Sequence, residues 1–129
     1  MTKKNFSMKS RAESFAFAFS GFMVLVRTQH NFWLHLLAGG LAIWLSWWLQ
    51  IGHTEFAVII LTIAFVLATE ALNTAIEMAV DMFSAQRTWP GKWAKDIAAS
   101  AVLIAAVGAL AIGLLILGPP LYEKLIEML

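Results

Sequence analysis

Four apolar blocks follow one another along the chain, and the polar residues within and between them decide what each block can be. The strongest part of the first, Phe15 to Val26, is about 12 residues long, against the roughly 20 that a bilayer span needs, and Ser20 and Gly21 interrupt it. Phe15, Phe19, Phe22 and Val26 recur at i, i+4, i+7 and i+11, on one helical face, with Lys9, Glu13, Ser20 and Arg27 away from it. This spacing predicts an amphipathic helix over about residues 6–28. Such a helix lies on a membrane surface or packs on the rest of the molecule, and the two placements are compatible.

The second block, from about Phe32 to Leu49, ends in Trp44, Trp47 and Trp48, an aromatic belt at one interface. The turn QIGHTE, residues 50–55, leads into a third block from Phe56 through Phe83. Those 28 or so residues reach about 42 Å as a helix, so one end must stand out of the hydrocarbon. The loop SAQRTWPGKWAKD, residues 84–96, contains the turn-forming pair Pro90-Gly91. A fourth block then runs from about Ile97 to Leu117 and is closed by GPP at 118–120. Its Ala98, Ala101, Ala105 and Gly108 are small enough for close helix contact. The expected architecture is all-α: an integral membrane helical bundle with three transmembrane helices and an N-terminal surface helix, in one domain over residues 1–129.

Composition supports the bilayer as solvent. The 129 residues are 60% hydrophobic and 13% charged, with a mean hydropathy of +0.77. Soluble domains carry about 25% charged residues. The net charge of +1 is uninformative, but its distribution is not. Lys3, Lys4, Lys9, Arg11 and Arg27 precede the second block, Arg87, Lys92 and Lys95 precede the fourth, and the 50–55 turn has no lysine or arginine. The positive-inside rule then puts the N-terminus and the 84–96 loop in the cytoplasm, for a multi-pass protein of the plasma or inner membrane. No small-residue cleavage site follows the basic start, so no signal peptide is expected. The chain has no cysteine, which excludes a disulfide framework or a thiolate site, and nothing in it points to a nucleic acid partner.

Against this background EALNTAIEMAVD, residues 70–81, is unusual. At about 100° per residue Glu70, Asn73, Glu77 and Asp81 fall at roughly 0°, 300°, 340° and 20°, a narrow stripe with three carboxylates. Glu70 lies about 16 Å before Asp81 along the helix, below the cytoplasmic interface, and the other acids are progressively nearer the headgroups. An intramembrane carboxylate costs on the order of 2.5–3.5 kcal/mol, so such groups usually serve a function. Three readings are open on the stripe alone. The acids pair with Lys95, Arg87 or Arg27 to hold helices together, they line an ion or proton path in a non-catalytic oligomer, or they form a phosphoryl-transfer site with Mg²⁺ and a base.

Lys95 and Asp96 shift the balance toward phosphoryl transfer, because a lysine on the cytoplasmic side can neutralise phosphate charge. An ion path would need polarity through the full depth, whereas residues 56–69 hold little besides Thr62 and Thr69. No glycine-rich phosphate loop is present, so a kinase built on these residues is not of a soluble kinase fold.

EALNTAIEMAVD, taken with AKDIAASAVLIAA at residues 94–106, resembles the prokaryotic diacylglycerol kinase and undecaprenol kinase family. The family pattern Glu-x-x-Asn-[Ser/Thr]-Ala-Ile-Glu-x-x-Val-Asp and Ala-Lys-Asp is met at every defined position, and the resemblance covers essentially the whole chain. It implies a small membrane enzyme that moves the γ-phosphate of MgATP to the hydroxyl of a lipid, as a homotrimer with active sites shared between subunits. Carried over by motif position, it implies Glu70 as general base and Glu77 as a Mg²⁺ ligand. Asn73 would orient the site on the nucleotide side, Lys95 would contact the ATP phosphates, Asp96 would lie in the nucleotide pocket, and Asp81 would support it.

Members of the family often carry a glutamate ahead of the first span as a second metal ligand, where RTQHNFWLH has Gln29. A glutamine oxygen can bind Mg²⁺ but brings no charge. Asn31 and His35, at i and i+4, resemble the Asn-x-x-x-His of the undecaprenol kinase branch. They are expected to form a hydrogen-bonded pair or to meet the lipid headgroup, with Ala99 on the lipid side as well. Diacylglycerol and undecaprenol both present a primary hydroxyl at the same depth, and NFWLH leans the reading toward undecaprenol.

Overall fold

The computed structural model describes residues 8–83 and 88–129. They form four helices, α1 Met8–Thr28, α2 His30–Trp48, α3 His53–Phe83 and α4 Trp89–Glu127, with no strand among the described residues. Residues 6 and 7 of the expected first helix, and Arg87, lie outside the described residues.

Local chemistry explains the hairpin between α2 and α3. Gln50 follows the α2 cap Leu49 and takes φ 53°, the left-handed conformation that ends a helix. Its amide donates to the Trp47 carbonyl at 3.2 Å and the Ile51 amide donates to the Ser46 carbonyl at 3.3 Å, so two carbonyls of the last turn are satisfied. Gly52 opens α3: its carbonyl accepts from the Phe56 amide at 2.9 Å, and its own amide donates to Glu55 Oε2 at 2.9 Å. Glu55 thus bonds back onto the helix start, where a negative charge is also favoured by the helix dipole. Further along, a Cβ on Gly39 would lie 3.0 Å from Ile63 Cγ2, so glycine permits this close approach of α2 to α3.

The largest helix contact is α4 on α3, and α1 rests on α2. That second junction is made by Phe22 and Phe32, edge to face at 5.6 Å, and by Trp33 Nε1 donating to the Val26 carbonyl at 2.7 Å. Phe15, Phe17 and Phe19 are all exposed, and Phe17 falls about 200° from Phe15, so the aromatic residues of α1 extend beyond a single stripe.

α4 differs from the sequence pattern at both ends. Thr88 caps it, accepting from the Gly91 amide at 3.4 Å, with Pro90 in the first turn, where a missing N–H costs nothing. Pro90-Gly91 therefore open a helix instead of making a turn, and Lys92, Lys95 and Asp96 are helical. At the far end α4 does not stop at GPP but runs through Pro119 and Pro120 to Glu127. Each proline removes only one donor, and in apolar surroundings a continued helix still satisfies the remaining backbone groups. Lys124, on this extension, donates to the Trp48 carbonyl at 2.8 Å and lies 4.5 Å over the Trp48 ring.

Among the described helices, α3 and α4 are long and apolar enough to cross a membrane, with only 17% and 11% of their most apolar stretches buried. At about 1.5 Å per residue they reach about 46 and 58 Å. The 19 residues of α2 also reach about 28 Å, but His30, Asn31 and His35 and its tryptophans lower its hydropathy. Leu61, Leu103, Ile104, Leu114 and Leu115 are all exposed, so the outer faces of α3 and α4 need a cover that the described residues do not supply. The small core comprises Phe32, Ile59, Val66, Ala98, Ala105 and Leu117, and Ser46, Glu70 and Thr74 are buried polar residues.

Candidate functional site

α3 is unbroken from His53 to Phe83, so Glu70, Asn73, Glu77 and Asp81 keep one side of it. At the deep end of this stripe Glu70 is 3% exposed. Thr74, one turn on and also buried, donates its hydroxyl to the Glu70 backbone carbonyl at 3.1 Å. That bond leaves the Glu70 carboxylate untouched, and no donor or cation reaches it among the described residues. A carboxylate carried by so buried a residue, with no donor among the described residues, calls for a functional reason.

The register with α4 explains the burial. Asp81 and Lys95 join the two antiparallel helices, and eleven residues inward on each helix brings Glu70 level with Ala106, next to the buried Ala105. Small side chains at this level let the helices close over the acid.

Asn73 links the deep and shallow acids. Its Nδ2 donates to Glu77 Oε1 at 3.2 Å, while its Oδ1 is buried and has no partner among the described residues. Turning the amide over would set two oxygens against each other, so the hydrogen bond to Glu77 fixes which atom is left unpaired. An amide oxygen beside a carboxylate is the donor chemistry of a hard cation such as Mg²⁺. No cluster of three or more His, Asp or Glu able to hold a metal occurs among the described residues, so phosphate or water oxygens would have to complete such a shell.

The shallow end carries two ion pairs. Lys95 Nζ meets Asp81 Oδ1 at 2.5 Å, with the two side chains 34% and 66% exposed, and Lys92 meets Asp96 at 2.5 Å on the outer side of α4. Both pairs are open to solvent and so readily exchange partners.

Gln29 joins α1 to α2 in extended backbone, its amide donating to the Leu25 carbonyl at 2.9 Å and its Nε2 to the Thr28 hydroxyl at 3.2 Å. Counted from the Gly39–Ile63 approach, ten residues along each helix put Gln29 level with Asn73. Ala99, exposed, is level with Glu77 by the Asp81–Lys95 register. Asn31 is exposed and His35 half-buried, and no hydrogen bond joins them among the described residues. The fold therefore assembles Glu70, Asn73, Glu77, Asp81 and Lys95 along one seam, and turns Asp96 to Lys92. Sequence reasoning passed over Thr74, although the same count of about 100° per residue sets it only about 40° from Glu70.

Comparison with known proteins covers the same residues. The family described as prokaryotic diacylglycerol kinase matches residues 16–117, which contain the whole seam. A diacylglycerol kinase of Synechocystis sp. is 38% identical over 114 residues, 88% of this chain and 65% of that protein. An undecaprenol kinase of Bacillus subtilis is 37% identical over 109 residues, 84% of this chain and 89% of that protein. The chain thus spans just under two thirds of the length of the first relative and most of the second.

Proposed function

The chain belongs to the prokaryotic diacylglycerol kinase family, and on that premise we propose that it is a membrane lipid kinase transferring the γ-phosphate of ATP to the hydroxyl of diacylglycerol or undecaprenol. The observation that carries this reading is Glu70, a residue only 3% exposed whose carboxylate meets no donor among the described residues, at the deep end of a seam whose shallow end is charged and open to water. A lipid hydroxyl reaches the deep end from the bilayer and a nucleotide reaches the shallow end from the cytoplasm.

In the proposed reaction the lipid hydroxyl donates a hydrogen bond to the Glu70 carboxylate. Glu70 takes the proton as the hydroxyl oxygen bonds to the γ-phosphorus and the bond to ADP breaks. Lys95 leaves Asp81 for the phosphate oxygens, neutralising charge that develops there. Asp81, Asn73 and Asp96 stand on the nucleotide side, and Asn31, His35 and Ala99 on the lipid side. Glu77 and the unpartnered Oδ1 of Asn73, with Gln29 level with them, would hold Mg²⁺. The ion, bound with ATP, supplies positive charge to the phosphates.

The same proposal includes three spans, α2, α3 and α4, with α1 on the surface and the N-terminus and the 84–96 segment in the cytoplasm of a plasma or inner membrane. It also includes a homotrimer with shared sites, which the uncovered apolar faces of α3 and α4 support. The test is transfer of labelled phosphate from MgATP to diacylglycerol and to undecaprenol, side by side, by purified protein in lipid. A labelled product from at least one is expected, and none from either overturns the reading.

A further inference from the structure

A groove of about 430 Å³ runs between α2, α3 and α4 on the side of Glu70 away from the ion pairs. Its width comes from small residues, Ala38, Gly39 and Ala42 on α2 and Ala106, Ala109 and Gly113 on α4. Ile59, Ile63 and Val66 of α3 form its floor. His35 and Thr62 are the polar residues among those lining it, and the Thr62 hydroxyl is already given to the Val58 carbonyl at 2.7 Å. His35 is thus the polar group left to an occupant, and it stands at the end near Glu70. Val66 is one helical turn, about 6 Å, from Glu70, and Ala106 is level with it. The groove therefore ends about one helical turn from the deep end of the seam and leads away from the nucleotide side.

We infer that this groove seats one hydrocarbon chain of the phosphoryl acceptor, and that the acceptor it suits is a single-chain isoprenoid alcohol in preference to a two-chain glyceride. The inference rests on the kinase reading and narrows its substrate. The groove extends about 15 Å along α2, between three helices of one chain. A single chain laid along it has its alcohol end at His35, about one helical turn from Glu70. A glyceride carries its two chains on adjacent carbons, so one of them must stay outside, in contact with the bilayer. The apolar walls and the isolated polar group at one end are those of a site for a long tail with a polar head.

Gly113 is the place to test this. A Cβ there meets nothing within 4 Å, so Gly113→Leu fills the groove without displacing backbone. Its level is about 10 Å beyond Glu70, past the reach of the headgroup. Gly108→Leu makes the same change on the same helix, also in open space but away from the groove, and serves as the control. With saturating MgATP, kcat/KM is measured for undecaprenol and for dioleoylglycerol. Gly113→Leu is expected to lower the value for undecaprenol about tenfold or more through KM, to lower that for dioleoylglycerol less, and so to erase a preference that the unaltered protein and Gly108→Leu retain. Equal loss for both acceptors, no loss for either, or the same loss in Gly108→Leu overturns the inference.

Should Gly113→Leu fail to fold, the unaltered protein is irradiated with an isoprenoid alcohol carrying a photoactivatable tail. Labelling within residues 106–118 supports the groove, and labelling confined to other segments overturns it. If the unaltered protein phosphorylates neither acceptor, the kinase reading fails by itself, and the labelling result still decides whether a chain occupies the groove.

Discussion

Lys95 and Lys124 stand at opposite ends of α4, and each ties it to another helix. Lys95 reaches Asp81 of α3 at 2.5 Å, and Lys124 reaches the Trp48 carbonyl of α2 at 2.8 Å while lying 4.5 Å over the Trp48 ring. Their partners differ in kind. The Asp81 side chain is 66% exposed, and an ion pair so open to water contributes only about 0–1 kcal/mol. Little is lost when Lys95 turns to another anion. Trp48 belongs to the last turn of α2, where carbonyls lack intrahelical donors, so Lys124 satisfies an orphan acceptor and complements the negative end of the helix. The bundle is thus fastened at the end away from the acids and keeps exchangeable charge at the end where, in the proposed reaction, a phosphate arrives.

The largest effect expected is on the acid that neither lysine touches. Glu70→Gln keeps the shape of the side chain and removes its ability to take a proton, so turnover should fall by about 10²–10⁴. Nucleotide binding, measured by titration of a fluorescent ATP analogue, should be nearly unchanged, because Glu70 lies about 16 Å from Asp81 along α3. Equal loss of binding and turnover would remove the separation between a deep lipid end and a shallow nucleotide end.

Lys95→Met comes next and addresses the comparison directly. If the lysine is exchangeable, the variant should lose about tenfold to a hundredfold in kcat/KM for ATP, while its thermal unfolding shifts by no more than the small contribution of a solvent-exposed pair. A large drop in stability with little change in kinetics would make Lys95 a second fastener and cancel the contrast with Lys124. Gln29→Glu then probes the metal side. The new charge is level with Asn73 and Glu77, and it should lower the Mg²⁺ concentration for half-maximal activity by about tenfold, since ligand charge sets affinity for such ions. An unchanged or raised requirement would place Gln29 away from the ion.

Much of the seam is legible in the amino-acid string because an unbroken helix converts spacing into geometry without help from the rest of the fold. Glu70, Asn73, Glu77 and Asp81 share a side of α3 for that reason alone. What depends on contact between helices is not legible. The burial of Glu70, the Oδ1 of Asn73 left without a partner among the described residues, and the closing of α4 over them need the register that Asp81 and Lys95 set. The ends of α4 were misleading for a different reason. Pro90-Gly91 has the composition of a turn, yet Thr88 two residues earlier makes the same proline a helix opener. Pro119-Pro120 has the composition of a stop, but Lys124 secures the residues beyond it to a partner 76 positions away in sequence.

Lys124→Met is the smallest effect on chemistry and the sharpest check on the comparison. Methionine keeps most of the apolar stem and the apolar cover over Trp48, and removes the ammonium. The Trp48 carbonyl then loses its donor and the ring its cation, two modest contributions that together amount to about 1–3 kcal/mol. Thermal unfolding in lipid or detergent should move down accordingly, while kcat and KM per folded molecule stay at their unaltered values, because α3 and the start of α4 are untouched. Protection of the amides near Pro119 and Pro120 against hydrogen exchange should fall more than that near Lys95, since the extension beyond the prolines has lost its tie to α2. A fall in kcat without a change in stability would mean that the far end of α4 communicates with the acids, and the division between a fastened end and an exchangeable end would have to be given up.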